Sequence, residues 1–279
     1  MRIDIFGIEI SKRTRQETLD YLAGRIQDGK PTTVATVNPE FLMAARRNDV
    51  FRGHLESADL RTADGVGVLW AVTYLALPWR GVLWAWWQLL YSGASLIVAP
   101  SFNRRIISET VPGSWLAPAL AERDQEKNWG VFLLGGGPGV AEDVAEKWRA
   151  NWPSLTIETS PADPDDPLGA ERVKSSAAKL VLLAYPAEDQ LAWMNRHRPV
   201  IGGVAIGIGG TLDMIAGAAA VQSGLGTRAR PTPPLLQDVG LGWLWRLVTQ
   251  PWRWRRIANA VPLFMKNVLQ YKSQMHVNN

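Results

Sequence analysis

The chain has 279 residues, of which 47% are hydrophobic and 20% charged; this suits one large folded domain with an appendage and excludes a disordered or collagen-like sequence. It contains no cysteine, so a disulfide framework, a thiolate metal site and a cysteine nucleophile are out, and a reducing compartment fits. A formal charge of +4 is too weak to argue for nucleic acid, whereas 14 Trp against 5 Tyr and 6 Phe favours a membrane–water interface, where an apolar ring can keep its N–H wet.

The opening MRIDIFGIEI has Asp4 where an export signal would set basic residues before an apolar run. It alternates like a strand, and the N-terminus reads as cytosolic. Thr14 with Glu17 is a capping-box signature that predicts a helix to about residue 27. A strand over 32–37, a helix over 39–47 and a short strand over 59–62 follow, the last ending at Asp64-Gly65. A second series begins at Trp129: a strand in GVFLL, a glycine turn over 135–139 and a helix from Val140 to about residue 151. Residues 179–184 and 203–208 are further buried-strand candidates. This alternation predicts an α/β fold, a mostly parallel sheet with helices on both faces, whose ligands bind at the carboxyl ends of the strands.

Two stretches break the pattern. Residues 81–103 run for 23 positions without a charge, long enough to span a bilayer, but Gln88, Ser92, Gly93, Ser95 and Pro100 dilute the run. A single crossing would also part Thr36 and Asp64 from everything after Asn103. An interfacial or re-entrant hairpin is the expectation, with an inserted, buried helical pair left open. From Arg228 onward, eight basic residues stand against Asp238 alone, and Trp243, Trp245, Trp252 and Trp254 are interleaved with Arg246, Arg253, Arg255 and Arg256. Such a segment suits anionic lipid, at about 1 kcal/mol per basic residue near the surface. Packing on its own domain, or RNA stacked on the indoles, are the alternatives. The chain divides accordingly into 1–227, an α/β domain with a Trp-rich insertion at about 79–105, and 228–279, a membrane-associating appendage.

Several motifs fail. Residues 24–30 spell G-x-x-x-x-G-K, but Pro31 follows and the stretch lies at a helix end, not between strand and helix. There is no H-E-x-x-H or G-x-S-x-G, and His54, His197 and His276 read as ordinary polar residues. Asp163, Asp165 and Asp166 read as a solvated loop before a metal cluster, so no metal site is expected. The turn at 135–139 is stronger, because free N–H groups and the helix dipole there favour a phosphate. GIGGTLD at 207–213 repeats it, and together they make a nucleotide-type pocket plausible. The sharpest set is Thr36, Asn38 and Asp64. The first two stand at one strand end, on one face by the two-residue period, and Asp64 follows the next strand. A carboxylate beside hydroxyl and amide groups can serve as general base while they position a substrate. Asn-Pro and Asp-Gly are equally common as turn and cap pairs.

The stretches TVNPEFLMAARRN and ADLRTADGVGVLWA, then ETVPGSWLAPAL, VFLLGGGPGVAEDVAEKWRANWPSL, AIGIGGTLDMIAG and RARPTPPLLQDVGLGWLWRLVTQPWRWRRI, taken in that order, resemble the WecG/TagA/CpsF glycosyltransferases. The resemblance covers nearly the whole chain apart from about 79–105. It implies a Rossmann-like domain with a C-terminal appendage on the cytoplasmic face of the bacterial inner membrane, held peripherally. It further implies transfer of N-acetylmannosamine, its uronic acid or glucose from a UDP-sugar to a polyprenyl-diphosphate-linked sugar in surface-polysaccharide synthesis, with inversion and no metal or other cofactor. On this basis Asp64 matches the catalytic base, Thr36 and Asn38 the neighbouring polar pair, and Gly135, Gly136, Gly137, Gly209, Gly210 and Asp213 the nucleotide-sugar pocket. Pro186 and Glu188 stand in the family's Pro-Lys-Gln-Glu segment, and Arg228 matches the arginine that opens the appendage. Trp243, Trp245, Trp252, Arg253, Trp254, Arg255 and Arg256 are the expected membrane contacts. Partners are the donor, the lipid-linked acceptor and an anionic membrane surface, without nucleic acid; a homo-oligomer is left open.

The chain departs from the family pattern at Thr110, where Arg is usual, at Trp115, where Asp is usual, and at Ala187, where Lys is usual; Gly-Leu-Glu-Trp reads Gly240-Leu241-Gly242-Trp243. The changes at Thr110 and Ala187 remove positive charge that a departing diphosphate calls for, which Arg104, Arg105 or the tail arginines can replace. The alternative is a catalytically silent protein that binds a nucleotide sugar and scaffolds a polysaccharide complex.

Overall fold

A computed structural model of the chain describes residues 4–161, 163–217 and 254–277. The first apolar stretch is a hairpin, not one strand: β1 (Asp4–Ile5) and β2 (Ile8–Glu9) pair antiparallel. The reversal is made by Phe6 at φ +59° and Gly7 at φ +81°. A left-handed Phe is costly, and its ring is held by edge contacts with Phe264 and Tyr271.

The main sheet has six strands: β3 (Thr32–Val37), β4 (Leu60–Ala63), β5 (Val131–Gly135), β6 (Ile157–Ser160), β7 (Leu180–Ala184) and β8 (Val204–Gly207). Their spatial order is β4-β3-β8-β7-β5-β6, and every pairing is parallel. The expected Rossmann-like α/β sheet is therefore present. Side chains alternate between two cores, as the two-residue period requires. Val34, Leu133, Leu182 and Ile206 pack with α1 (Arg15–Gln27), α6 (Gly113–Lys127) and α7 (Val140–Asn151). Ala35, Phe132, Leu183 and Ala205 pack with α2 (Pro39–Ala45), α3 (Asp49–Ser57), α4 (Val66–Ala76), α8 (Pro167–Ser176) and α9 (Ala187–Arg196). Both faces being covered explains why the four inner strands read as near-continuous apolar and Thr runs, while the edge strands β4 and β6 carry Arg61 and Glu158.

Residues 82–98 form one helix, α5 (Val82–Val98), followed by a 3-10 turn over Pro100–Arg104. Neither the expected hairpin nor a helical pair is formed, because Gln88, Ser92 and Ser95 are not chain breaks: they share one helix face and are buried against the protein. Among the described residues no helix is long and apolar enough to cross a membrane. A short helix, α10 (Thr211–Ala216), follows β8, and α11 (Trp254–Val277) packs on α4 and α5. Phe264, Val268 and Leu269 of α11 are buried there, each contributing about 1.5–3 kcal/mol. Of the expected membrane contacts, Trp243, Trp245, Trp252 and Arg253 lie outside the described residues, as does Arg228; Trp254, Arg255 and Arg256 open α11, and their side chains are likewise outside the description.

Candidate active site

Because all six strands run the same way, their carboxyl ends form one rim. The β3–β4 register pairs Thr36 with Thr62 and Val37 with Ala63, and the Asp64 amide donates to the Val37 carbonyl at 2.7 Å. Asp64 therefore sits one step past the ladder, level with Asn38, and is half-buried, neither sealed in the core nor free in solvent. Gly65 then turns the chain at φ +98° into α4, a conformation that accounts for the Asp-Gly pair.

The other two members of the set are in place but carry structural duties. The Thr36 hydroxyl is buried and donates to the Gly207 carbonyl at 3.0 Å, extending the β3–β8 contact to the rim. Asn38 is the N-cap of α2, its Oδ1 accepting from the Glu40 and Phe41 amides at 2.9 and 3.1 Å, with Pro39 opening the helix. Its Nδ2 donors have no partner among the described residues and remain available to a ligand.

The two glycine turns are not equally near. At about 4.8 Å per strand, the end of β8 lies roughly 10 Å from Asp64 along the rim and the end of β5 roughly 19 Å. Gly209 takes φ +51°, and its amide donates to Gln190 Oε1 at 3.2 Å. Gln190, on α9, is buried over Gly207, where an added Cβ would lie 2.5 Å from its amide carbon. Asp213 follows on α10, and burial raises its pKa. At the distant turn Gly135, Gly136 and Gly139 all have positive φ; a Cβ on Gly135 would collide with the Tyr185 ring, and the Gly136 amide donates to the Ala184 carbonyl at 3.2 Å. The chain leaves β5 outward to β6 and leaves β7 inward to β8, so this turn borders a topological switch point, with Pro186 and Glu188 exposed across it. The first turns of α7 and α9 carry Glu142, Asp143, Glu188 and Asp189, so these helix starts are already furnished with negative charge.

Sequence reasoning missed two residues here. Gln190 is one. The other is Arg15, at the start of α1, whose Nε donates to the Thr110 carbonyl at 3.1 Å and whose guanidinium lies 5.0 Å over the Trp115 ring. Residues 110 and 115 are the positions where the chain lacks the expected Arg and Asp, and a cation reaches them from another element. The segment is fixed to the rim, since the Val111 amide donates to the Ala63 carbonyl and the Thr62 hydroxyl donates to the Val111 carbonyl. Gly113 then packs on Ile208, just past β8, where an added Cβ would lie 3.2 Å from the Ile208 Cα. The signal for Gln190 is a glutamine among the buried positions of an amphipathic helix; for Arg15 there is none.

The remaining polar groups have ordinary work. Asp166 caps α8 and Asp165 pairs with Arg196. His276 stacks on Trp79 and His197 lies against Trp193. Among the described residues no three His, Asp or Glu side chains converge on a point that would hold a metal.

Two comparisons relate the chain to known proteins. The sequence model described as "Glycosyl transferase WecG/TagA/CpsF family" matches residues 3–85 and 78–277. A relative from Bacillus spizizenii, named N-acetylglucosaminyldiphosphoundecaprenol N-acetyl-beta-D-mannosaminyltransferase, is 22% identical over 250 residues, spanning 88% of this chain and 82% of its own.

Proposed function

This chain belongs to the WecG/TagA/CpsF family of glycosyl transferases, and from that premise we propose that it moves a hexose from a UDP-sugar to a sugar carried on a polyprenyl diphosphate, in the synthesis of a cell-surface polysaccharide. The hexose is of the N-acetylmannosamine, mannosaminuronic acid or glucose type. Asp64 takes the proton from the acceptor hydroxyl, whose oxygen attacks the anomeric carbon as the bond to UDP breaks. Attack from the face opposite the leaving group inverts that carbon, and UDP departs with the electron pair. The observation that carries this reading is the half-buried Asp64 carboxylate, level with Asn38 and about two strand spacings from the Gly209 turn.

The donor lies along the rim, its diphosphate near Gly209 and Gly210 and its nucleotide toward the switch point at Gly135, Gly136 and Gly137. The negative first turns of α7 and α9 mean that cations must come from elsewhere: Arg15 and Arg104 within the domain, and Arg228 and the other tail arginines, which assist departure of UDP without a metal. The relative's printed acceptor, a diphosphoundecaprenol-linked sugar, supports a lipid-borne acceptor and hence a peripheral position on the cytoplasmic membrane face.

The test is UDP release by the purified full-length protein with a panel of UDP-hexoses and a polyprenyl-diphosphate N-acetylglucosamine in detergent. Release with one donor, and loss of about 10²–10⁴-fold in Asp64→Asn, is expected. Donor binding by calorimetry without any release would instead establish the silent scaffold.

A further inference from the structure

Helix α5 is amphipathic the wrong way round for a helix facing water. Its buried face carries Gln88 at 1% and Ser92 at 0% exposure, while its outer face carries Leu83 at 87%, Leu90 at 62% and Ile97 at 64%. Trp86, Trp87 and Val98 extend the outer face. The buried polar side chains of the helix are paired inward. The Trp70 indole donates to Ser92 Oγ at 3.0 Å, Gln88 Nε2 to the Pro78 carbonyl at 2.9 Å, and Asn103 Nδ2 to Ser95 Oγ at 2.9 Å. A surface helix in water turns its polar residues out; this one turns them in, as helices do when their outer face meets hydrocarbon.

We propose that the outer face of α5 is a membrane-docking surface that seats in the interface of a bilayer containing anionic phospholipid. No charged residue lies within 81–103, and both ends are closed by exposed arginines, Arg80 and Arg105, each folded over a ring, Trp84 at 5.7 Å and Phe102 at 4.3 Å. That is the arrangement of apolar side chains in the acyl boundary with guanidinium groups at phosphate level. Charge selects lipid over a second copy of the chain. Two α5 faces paired antiparallel would set Arg80 against Arg105, and paired parallel would set like against like, with no acid in the segment to receive either.

The neighbouring helix packs directly on α5. Met265 of α11 crosses α5 at Gly93, where an added Cβ would lie 2.8 Å from its methyl, and Val261 and Leu263 of α11 are exposed beside it. Arg253 precedes α11, and Arg255 and Arg256 stand in its first turn. At its far end α5 returns to the site: Leu96, Pro100, Asn103 and Arg104 line a narrow cleft with Val66 and Leu69 of α4, the helix that starts two residues after Asp64. A bilayer under α5 thus presents lipid head groups to the rim beside the carboxylate. This deepens the proposed function by naming the surface that meets the lipid; vesicles without donor or acceptor test it, so docking and transfer can fail separately.

The experiment is co-sedimentation of the full chain with vesicles of phosphatidylcholine and phosphatidylglycerol. Wild type is expected to bind, and Leu83→Glu/Leu90→Glu to bind at least tenfold more weakly with an unchanged melting curve, since both side chains are exposed. In a second measurement with brominated acyl chains, Trp86→Phe/Trp87→Phe, which keeps the apolar surface, is expected to bind as wild type while losing a clear share of the indole quenching. Wild-type sedimentation of the glutamate pair, or undiminished quenching in the phenylalanine pair, overturns the assignment. So does a wild-type dimer that the glutamate pair dissociates without any loss of vesicle binding.

Discussion

Asp64 is held by Val37, through a 2.7 Å hydrogen bond from the Asp64 amide to the Val37 carbonyl that prolongs the β3–β4 ladder by one step. The bond is main chain to main chain, so it survives a change of the side chain. Asp64→Asn removes the base and keeps this main-chain bond. Transfer should fall about 10²–10⁴-fold with KM for the donor and the melting temperature nearly unchanged. A variant that turns over at the wild-type rate removes the proposed chemistry.

Local signals carried much of the fold. The Thr14–Glu17 capping box forms as its spacing predicts, with Glu17 Oε2 accepting from the Thr14 amide at 2.8 Å and the Glu17 amide donating to Thr14 Oγ1 at 3.2 Å. Helix α7 starts at Val140, directly after the last positive-φ glycine of its turn. What failed depended on contacts distant in sequence. The Phe6–Gly7 reversal is sustained by rings more than 250 positions away, and hydropathy marked α5 as apolar without telling which face is buried. At the site, Thr36, Asn38 and Asp64 were legible because each ends or follows a strand. Their division of labour was not, since Asn-Pro serves a cap and a ligand equally well. Arg15 was invisible because nothing in its spacing links it to Thr110.

Gln190 should govern donor binding through the Gly209 turn. Its Oε1 accepts the Gly209 amide, and its side chain fills the space over Gly207. Gln190→Leu keeps much of the volume but strands that amide, costing about 1–3 kcal/mol of stability. The expected kinetic signature is a rise in donor KM greater than the fall in kcat, read from initial rates across donor concentrations. An unchanged KM would detach this turn from the donor.

The opposite rim offers a stability test without catalytic consequence. Arg198 Nη2 lies 2.7 and 2.8 Å from the two Asp59 oxygens, and Asp59 also accepts from the Thr33 amide at 2.8 Å. Burial pushes the Asp59 pKa up, but the Arg198 hydrogen bond, the Thr33 amide and the guanidinium charge together hold it below its ordinary value. A carboxyl depressed in the folded state adds stability above its unfolded pKa, about 3.9, which is lost as pH falls through the folded value. Arg198→Met should cost about 1–3 kcal/mol near neutrality, and the gap between wild type and variant should narrow below about pH 4, with transfer unaffected. A gap that persists in acid would assign the loss to packing.

Lys272 reports on the docking of α11. Its ammonium is fully buried, donating to the Tyr74 carbonyl at 2.7 Å and to Gln88 Oε1 at 2.8 Å, and lies 4.4 Å from the centre of the Tyr74 ring. It thereby joins α11 to α4 and α5 at one point. Burial lowers its pKa to about 8. A lysine depressed in the folded state is the reverse of the usual case: between about pH 8 and its unfolded value, about 10.4, the unfolded chain holds more protons than the folded one, so stability rises with pH across that window. The neutral amine still has two N–H groups for its two acceptors, so the contacts survive deprotonation. Lys272→Met removes the titration and keeps the aliphatic stem. From pH 7.5 to 9.5 the wild type should therefore gain about 1 kcal/mol or more relative to the variant, roughly 2–4 °C in Tm. Parallel Tm curves would show that the ammonium reaches water.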